Sequence, residues 1–184
     1  MGIAIADEAG SRGAKVILVL GPVDLKPERR TYEIINVISA HEMADAMTGN
    51  FGEADISVLA AAVADYRPES ESESKIKKSK SDLRLTLKPT IDIAAKLGSV
   101  KRNNQLLAGF ALETDNEKEN ALKKLKSKNL DLIVLNSLRD EGSGFKSDTN
   151  KITLIDKNNN IEDFELKTKA EVAADILDKI ESML

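Results

Sequence analysis

Short, continuous apolar runs alternate with amphipathic stretches along most of this 184-residue chain. A continuous apolar run ended by a turn is typical of a strand covered on both faces, whereas apolar residues at every third or fourth position indicate a helix. The predicted strands cover residues 15–20, 32–37, 55–64, 83–87, 106–112 and 130–135. The predicted helices cover residues 3–9, 39–47, 91–97 and 116–128, and a further helix begins at Thr168.

The order of these elements predicts the fold class. Strand, helix and strand recur, which favours a parallel sheet with helices on both faces and right-handed crossovers. After residue 135 the pattern changes to a β-hairpin, with strands at 152–155 and 161–166 around a polar turn. We therefore expect an α/β protein with a doubly wound, Rossmann-like parallel sheet, followed by a C-terminal β-hairpin plus helix.

The beginning of the sequence departs from this pattern. A doubly wound sheet usually opens with a strand and a glycine-rich turn that lead into the first helix. Here the first predicted helix begins almost at Met1. We expect a single domain over residues 1–184 that lacks the first strand and the glycine-rich turn, with a gap in the sheet or at its edge. The polar stretch 68–81, rich in Ser, Glu and Lys, is expected to be a mobile loop.

Composition and charge exclude several classes of function. The chain has 27 basic and 31 acidic residues and only 3% aromatic residues, which argues against nucleic-acid binding. It has no Cys and a single histidine, His41, so neither a thiolate metal site nor a Ser-His-Asp relay is expected. No apolar run is long enough to span a bilayer, and no signal peptide is recognisable. We predict a soluble, cytoplasmic protein that binds neither nucleic acid nor membrane.

Ligands of open parallel sheets bind beyond the carboxyl ends of the strands. Asp65, after the predicted strand 55–64, could hold a divalent cation or a ribose hydroxyl. An Asp that forms a turn before Pro68 is an equal alternative. Phe110, near the end of the strand 106–112, could face a base, but a place in the core is favoured.

Lysines form two further groups of candidates. Lys75, in the predicted mobile loop, could close over a triphosphate, although a solvated basic stretch is the commoner explanation. Lys124 and Lys128 lie one turn apart on the helix predicted at 116–128, so both could reach one polyphosphate. Lysines on such a helix are more often simply its solvent-exposed side. Nucleotidyl transfer onto a carboxylate needs little acid or base catalysis and suits this set of residues.

Taken together, these segments resemble the phosphopantothenoylcysteine synthetase family. The resemblance rests on an ordered set of motifs: residues 61–68 (AAVADYRP), 75–78 (KIKK), 109–114 (GFALET), 128–136 (KNLDLIVLN), 144–145 (GF), 147–148 (SD) and Asn150. No single motif is specific, but the ordered set is highly specific and spans nearly the whole chain.

The resemblance implies a CTP-dependent ligase of coenzyme A biosynthesis. Such an enzyme joins 4′-phosphopantothenate and L-cysteine through an acyl-cytidylate, and it releases phosphopantothenoylcysteine, CMP and pyrophosphate. CTP is then a co-substrate, Mg²⁺ the cofactor with Asp65 as its ligand, and Lys75 the catalytic residue on a flexible flap. The residues implied in CTP binding are Ala60, Ala61, Asp65, Lys75, Ile91, Asp92, Ile93, Ala94, Phe110, Lys124 and Lys128.

The resemblance also implies partners. Family members self-associate, so we expect a homodimer, with the hairpin 152–166 as the candidate interface. They are often fused to a flavin-containing decarboxylase, so a fused or separate flavin-dependent decarboxylase domain is a further expected partner. In the family an Asn-containing stretch leads into the Met-Gly that opens this chain. We therefore expect weak or absent turnover from residues 1–184 alone.

Two other classes of protein stay open. A non-catalytic nucleotide-binding or dimerisation module would bind CTP without pyrophosphate release. An NAD(P)-dependent oxidoreductase domain could have a similar sheet, but the sequence has no Gly-x-Gly-x-x-Gly turn. Tight NAD(P)H binding without any response to CTP would support the oxidoreductase.

Overall fold

Helices alternate with strands much as the pattern predicts. The computed structural model describes residues 1–24, 27, 32–70, 72, 74–78, 82–113, 115–137 and 148–184. Five helices lie in these residues: α1 Gly2–Ser11, α2 Ala40–Phe51, α3 Ile93–Val100, α4 Glu117–Ser127 and α5 Lys169–Glu181. Side chains stabilise their first turns: Ser39 caps α2, and Thr168 and Glu171 form a capping box at α5. No helix in the described ranges is long and apolar enough to cross a bilayer.

The described part of the chain contains eleven short strands in four sheets. They are β1 Ile17–Leu20, β2 Glu33–Asn36, β3 Ile56–Leu59, β4 Tyr66–Pro68, β5 Leu87–Pro89, β6 Leu106–Glu113, β7 Leu132–Ser137, β8 Thr149–Asn150, β9 Ile152–Asp156, β10 Ile161–Asp163 and β11 Lys167–Thr168. Five strands form the central sheet, and the others pair as β1 with β2, β4 with β5 and β8 with β11.

The central sheet has the order β10-β9-β7-β6-β3 and is mixed. β3, β6 and β7 are parallel, with Leu59 opposite Gly109 and Phe110 opposite Val134. β9 is antiparallel to β7, and β10 is antiparallel to β9. The predicted parallel arrangement is therefore present in β3, β6 and β7, but the complete sheet is mixed, because the predicted hairpin joins it. The hairpin is present, but its apolar residues complete the core, so it extends the sheet with the antiparallel pairing that a short turn imposes.

The sheet separates two apolar layers. Successive side chains of a strand point to opposite faces. Leu106 and Ala108 of β6 pack with α1 and α5, whereas Leu107 and Ala111 pack with α2, α3 and α4. Because both faces of β6 and β7 are covered, these strands are continuous apolar runs in the sequence. The prediction of helices on both faces is confirmed.

The strands β1 and β2 form a separate parallel pair in register from Ile17 opposite Glu33 to Leu20 opposite Asn36. In the residues that the structure describes, this pair has no hydrogen bonds to the central sheet. Even so, α1 and α2 contact β1, and both helices also pack on residues of β3. No residue of the apolar strand β1 is fully buried, and Ile17 is 36% exposed. The same two helices therefore cover strands that belong to two sheets.

Two predicted strands are shorter in the structure. The strand predicted at 55–64 is present only as β3, and the residues after Leu59 leave the sheet. The strand predicted at 83–87 is replaced by β5, which pairs with β4. Leu83, Leu85 and Leu87 are all exposed, so their alternation with polar residues does not mark a buried face. Strand position here follows pairing with Tyr66–Pro68 rather than the local pattern.

Candidate functional site

The chain that leaves β3 passes over the carboxyl edge of the central sheet. Asp65, six residues beyond the end of β3, accepts a backbone hydrogen bond from Thr90 N at 2.8 Å. The Thr90 hydroxyl donates to the carbonyl oxygen of Ala64 at 2.6 Å. These two bonds hold the segment that contains Asp65 beside the residues that lead into α3. The Asp65 side chain itself is exposed.

The first turn of α3 carries another predicted group. Asp92 is its N-cap, and its Oδ1 accepts from Ala95 N at 3.0 Å. Its Oδ2 lies 3.0 Å from Nζ of Lys128. Partial burial raises the pKa of Asp92, but the N–H of Ala95 and the ammonium of Lys128 outweigh it, so the pKa lies below its ordinary value. Of the neighbours of Asp92 in the predicted set, Ile93 is buried in the core, and Ile91 is exposed.

A glycine sets the position of Lys128. A Cβ at Gly98, in α3, would lie 1.9 Å from the carbonyl oxygen of Lys128, so only glycine allows this approach of backbone to helix. Asn129 Nδ2 donates to the Gly98 carbonyl oxygen at 2.8 Å. The end of α4 is thus fixed against α3, which places the Lys128 side chain within reach of Asp92.

Lys124 lies one turn before Lys128 and contacts a different carboxylate. Its Nζ is 2.5 Å from Oε1 of Glu113, the last residue of β6. Asn120 Nδ2 lies 3.4 Å from the other oxygen of Glu113. Lys124 of α4 is therefore tethered to the end of β6, and Lys128, the C-cap of α4, is tethered to the start of α3.

Phe110 and Ala60 belong to the opposite face. Phe110 packs with the α1 and α5 layer, whereas α4 covers the other face of the sheet. The pairing of β3 with β6 ends with Leu59 opposite Gly109. A Cβ on Gly2 of α1 would lie 3.7 Å from the Ala60 Cβ, which places Ala60 next to α1. A single ligand can meet Phe110 and Lys124 only if it crosses the carboxyl edge of the sheet.

The structure thus brings the predicted residues together in two groups. Asp65, Asp92 and Lys128 lie around the start of α3, and Ala60 and Phe110 lie near the start of α1. Ala61 and Lys75 are exposed, and the described contacts join neither of them to these groups. Ala94 lies in the first turn of α3, beside Asp92.

Sequence reasoning missed the roles of Glu113 and Gly98. A carboxylate that ends an otherwise apolar strand was a signal for Glu113, since strand ends are where ligands of such sheets bind. A glycine inside a short helix was a signal for Gly98, because it suggests close packing at that point. Neither signal indicates that Glu113 contacts Lys124 or that Gly98 packs against Lys128.

The later motifs are described only in part. Thr114, Gly144, Phe145 and Ser147 lie outside the described residues. Asn136 and Asn150 meet at the carboxyl end of β7, where Asn150 Nδ2 donates to Asn136 Oδ1 at 3.0 Å. Asn150 is buried, so this pair holds the short strand β8 against the end of β7.

A divalent cation would find few protein ligands here. Within the described ranges, no group of three His, Cys, Asp or Glu residues could hold a metal ion. Mg²⁺ is usually bound through one or two carboxylates together with substrate phosphates and water. The single exposed carboxylate of Asp65 fits that arrangement, in which the substrate completes the coordination.

Comparison with known proteins agrees with this architecture. Residues 1–184 match the family described as DNA/pantothenate metabolism flavoprotein C-terminal domain. The chain is 59% identical over 180 residues to a protein named cysteine/cysteine sulfinic acid decarboxylase from an unknown prokaryotic organism, covering 98% of this chain and 50% of that protein. It is 40% identical over 183 residues to the coenzyme A biosynthesis bifunctional protein CoaBC of Bacillus subtilis (strain 168), covering 100% of this chain and 45% of that protein.

A solved structure supports the same relationship. The crystal structure of the C-terminal domain of a coenzyme A biosynthesis bifunctional protein CoaBC superposes with a TM-score of 0.83 at 38% identity, covering 99% of this chain and 81% of that one. The chain spans about half the length of the curated relatives it matches.

Fold and site together define an α/β domain with its candidate binding residues at the carboxyl edge of the sheet. The chain belongs to the DNA/pantothenate metabolism flavoprotein C-terminal domain family, the phosphopantothenoylcysteine synthetase part of CoaBC.

Proposed function

We propose that this domain is a CTP-dependent ligase that joins 4′-phosphopantothenate to L-cysteine in coenzyme A biosynthesis. The observation that carries the proposal is that Asp65 and the Asp92–Lys128 pair lie around the start of α3 in a member of this family, with Lys124 one helical turn before Lys128. Two ammonium groups and a free carboxylate suit a triphosphate with a divalent cation.

The reaction needs positioning and charge stabilisation more than proton transfer. A carboxylate oxygen of phosphopantothenate attacks the α-phosphorus of CTP, and pyrophosphate leaves with the electron pair of the broken P–O bond. The amine of cysteine then attacks the acyl carbon, loses a proton, and CMP leaves. Lys124 and Lys128 would neutralise the phosphates. Asp65 would hold Mg²⁺, which neutralises further phosphate charge when bound.

Titration of CTP with Mg²⁺ by calorimetry, with and without phosphopantothenate, tests the nucleotide site. We expect Lys124→Ala to weaken CTP binding by about tenfold or more, because a charge-assisted contact to phosphate is lost. Lys123→Ala is the matched control, since Lys123 pairs with Glu119 on the exposed side of the same helix. Equal losses in both variants, or no CTP binding by the parent, would contradict the proposal.

We also propose that a strand supplied from outside this 184-residue chain completes the sheet between β1 and β3. The support is that α1 and α2 cover both strands, although β1 and β3 belong to separate sheets and the apolar residues of β1 stay partly exposed. A peptide that forms this strand should raise the free energy of unfolding and the rate of pyrophosphate release. No change in either quantity would contradict this part of the proposal.

The partners and the location of the domain are further proposals. We propose a homodimer, a fused or separate flavin-dependent decarboxylase domain, and a cytoplasmic location. Ile152, Leu154 and Ile155 of the hairpin are buried in the chain's own core, so the surface that the hairpin offers comes from its turn, the edge strand β10 and Leu166. A monomeric mass in sedimentation at micromolar concentration would contradict the dimer.

The two alternatives are separated by the same measurements. A binding or dimerisation module would take up CTP, yet give no pyrophosphate release with both substrates and the added strand. An oxidoreductase would bind NAD(P)H and ignore CTP.

A further inference from the structure

Lys124 in α4 and Lys128, the C-cap of α4, each contact a carboxylate from another element. Lys124 contacts Glu113 at the end of β6, and Lys128 contacts Asp92 at the start of α3. Lys123 pairs instead with Glu119, one turn earlier on α4 itself. All three contacts join a lysine to a carboxylate, but only the first two link a candidate phosphate-binding cation to the site.

The enclosed partner in the first pair is the carboxylate. The Glu113 side chain is 15% exposed, whereas that of Lys124 is 43% exposed. Glu113 is fixed on a strand, and the ammonium of Lys124 is carried on a flexible four-carbon stem. An anion that approaches from solvent therefore meets the lysine with a fixed negative charge behind it.

A fixed carboxylate has two opposite effects on such an anion. It orders the lysine, which lowers the entropy cost of binding for one side chain. It also neutralises the ammonium and repels every negative charge of the ligand. A triphosphate carries several negative charges, and the carboxylate repels each of them, whereas it orders only one lysine side chain. The net effect of the carboxylate is therefore to weaken binding of the anion.

We propose that Glu113 and Asp92 are built-in counter-ions that weaken binding of phosphate-containing anions at Lys124 and Lys128. A polyphosphate must displace these carboxylates from the ammonium groups in order to bind. The inference rests on the proposed function in one respect, namely that the natural ligand is a nucleoside triphosphate. The same carboxylates also lower the affinity for the pyrophosphate that is formed, which favours product release.

Calorimetric titration with inorganic tripolyphosphate tests this on the 184-residue chain. We expect Glu113→Gln to bind tripolyphosphate about tenfold more tightly than the parent, and Asp92→Asn about threefold, since Asp92 is the more exposed carboxylate. Asn retains the N-cap of α3. Glu119→Gln is the matched control and should bind as the parent does. A merely structural role for Glu113 would weaken binding rather than strengthen it.

Equal affinity in the parent, Glu113→Gln and Glu119→Gln overturns the proposal, and so does weaker binding by a Glu113→Gln variant with an intact thermal transition. If Glu113→Gln does not fold, Asp92→Asn decides by the same criterion. CTP measured in parallel keeps the two proposals apart. If CTP binds no better than tripolyphosphate while Glu113→Gln tightens both, the counter-ions stand and the CTP-dependent function fails.

Discussion

Two groups of lysine–carboxylate contacts in this molecule use the same chemistry in different surroundings. Asp131, just before β7, accepts from Lys101 Nζ at 2.6 Å and from Leu107 N at 2.9 Å, and these two charged side chains are 7% and 9% exposed. Along α4, the side chains of the Lys124 and Lys128 pairs are between 15% and 50% exposed. The enclosed Asp131–Lys101 pair holds its elements together, because separating the two groups would leave a buried charge without a partner. The open pairs stabilise little and leave donors for a ligand.

The pKa of Asp131 shows how far its partners compensate for burial. Burial raises the pKa of this carboxyl, but Lys101, the Leu107 N–H and Lys157 together bring it below its ordinary value. Lys157 Nζ lies 3.1 Å from the second oxygen and comes from the turn between β9 and β10. The ionised Asp131 thus ties the hairpin and the loop after α3 to the start of β7.

The largest expected effect comes from Gly98→Ala, because Gly98 lies between the two groups. A Cβ there would strike the Lys128 carbonyl oxygen, and backbone must move to relieve the contact. We expect a loss of about 3 kcal/mol in the free energy of unfolding, measured by denaturant titration. Gly49→Ala in α2, where nothing lies within 4 Å of the added Cβ, should instead gain about 0.5–1 kcal/mol. Similar values for both variants would mean that the α3–α4 contact is not tight.

An effect of similar size is expected when the buried pair of Asp131 and Lys101 is broken. Asp131→Asn should cost about 3 kcal/mol, since it leaves Lys101 charged and enclosed without its carboxylate. Because the folded pKa lies below the unfolded value of about 3.9, the ionised group stabilises the fold above that pH. This contribution disappears as the pH falls through the folded pKa. The stability of the Asn variant should therefore fall less steeply in acid than that of the parent.

Glu119→Gln removes an exposed lysine–carboxylate pair and so tests whether such pairs contribute to stability. Its partner Lys123 lowers the pKa of Glu119, yet both side chains are more than half exposed. The denaturation midpoint should therefore not move. Losses of similar size in Glu119→Gln and Asp131→Asn would break the distinction between enclosed and open pairs.

The smallest effect on stability belongs to Lys75→Ala. Lys75 is exposed and has no ion pair among the described residues. We expect the free energy of unfolding to change by less than about 0.5 kcal/mol. Acyl-cytidylate formation in a single turnover should slow by about tenfold, because a flap lysine would stabilise developing phosphate charge. Lys77→Ala is the control in the same segment, and a markedly lower melting temperature for Lys75→Ala would contradict the loop assignment.

Much of the fold was readable because local and tertiary preferences agree. The sequence predicts a helix from residue 39, and Ser39 caps α2 by accepting from Glu42 N at 3.2 Å. The runs at 106–112 and 130–135 became β6 and β7, whose faces are both covered. The prediction was wrong where tertiary pairing decides. Ala60 is as apolar as β3 before it, but nothing in its composition shows that the pairing with β6 stops at Leu59.

The sequence names candidate residues for the site, and these stay predictions, but it does not show how their side chains are arranged. Motifs and helical spacing name Asp65, Lys124 and Lys128 as candidates, and the rule that ligands bind at strand ends points to the edge of the sheet near these residues. The sequence did not show which carboxylates these lysines contact. Glu113 and Lys124 lie on different elements, so their contact does not follow from helical spacing. Which face Phe110 occupies follows from counting along β6 once its ends are known.

The contact between α1 and α5 has a consequence for biosynthesis. Arg12 reaches Asp178 at 2.6 Å across 166 residues of sequence and Glu181 at 3.0 Å across 169. At ribosomal rates, the first helix waits about ten to thirty seconds for the segment that covers its apolar side. During that interval Ile5 and Ala6 are open to water. Nascent chains stalled before α5 should therefore be the species that holdase chaperones capture.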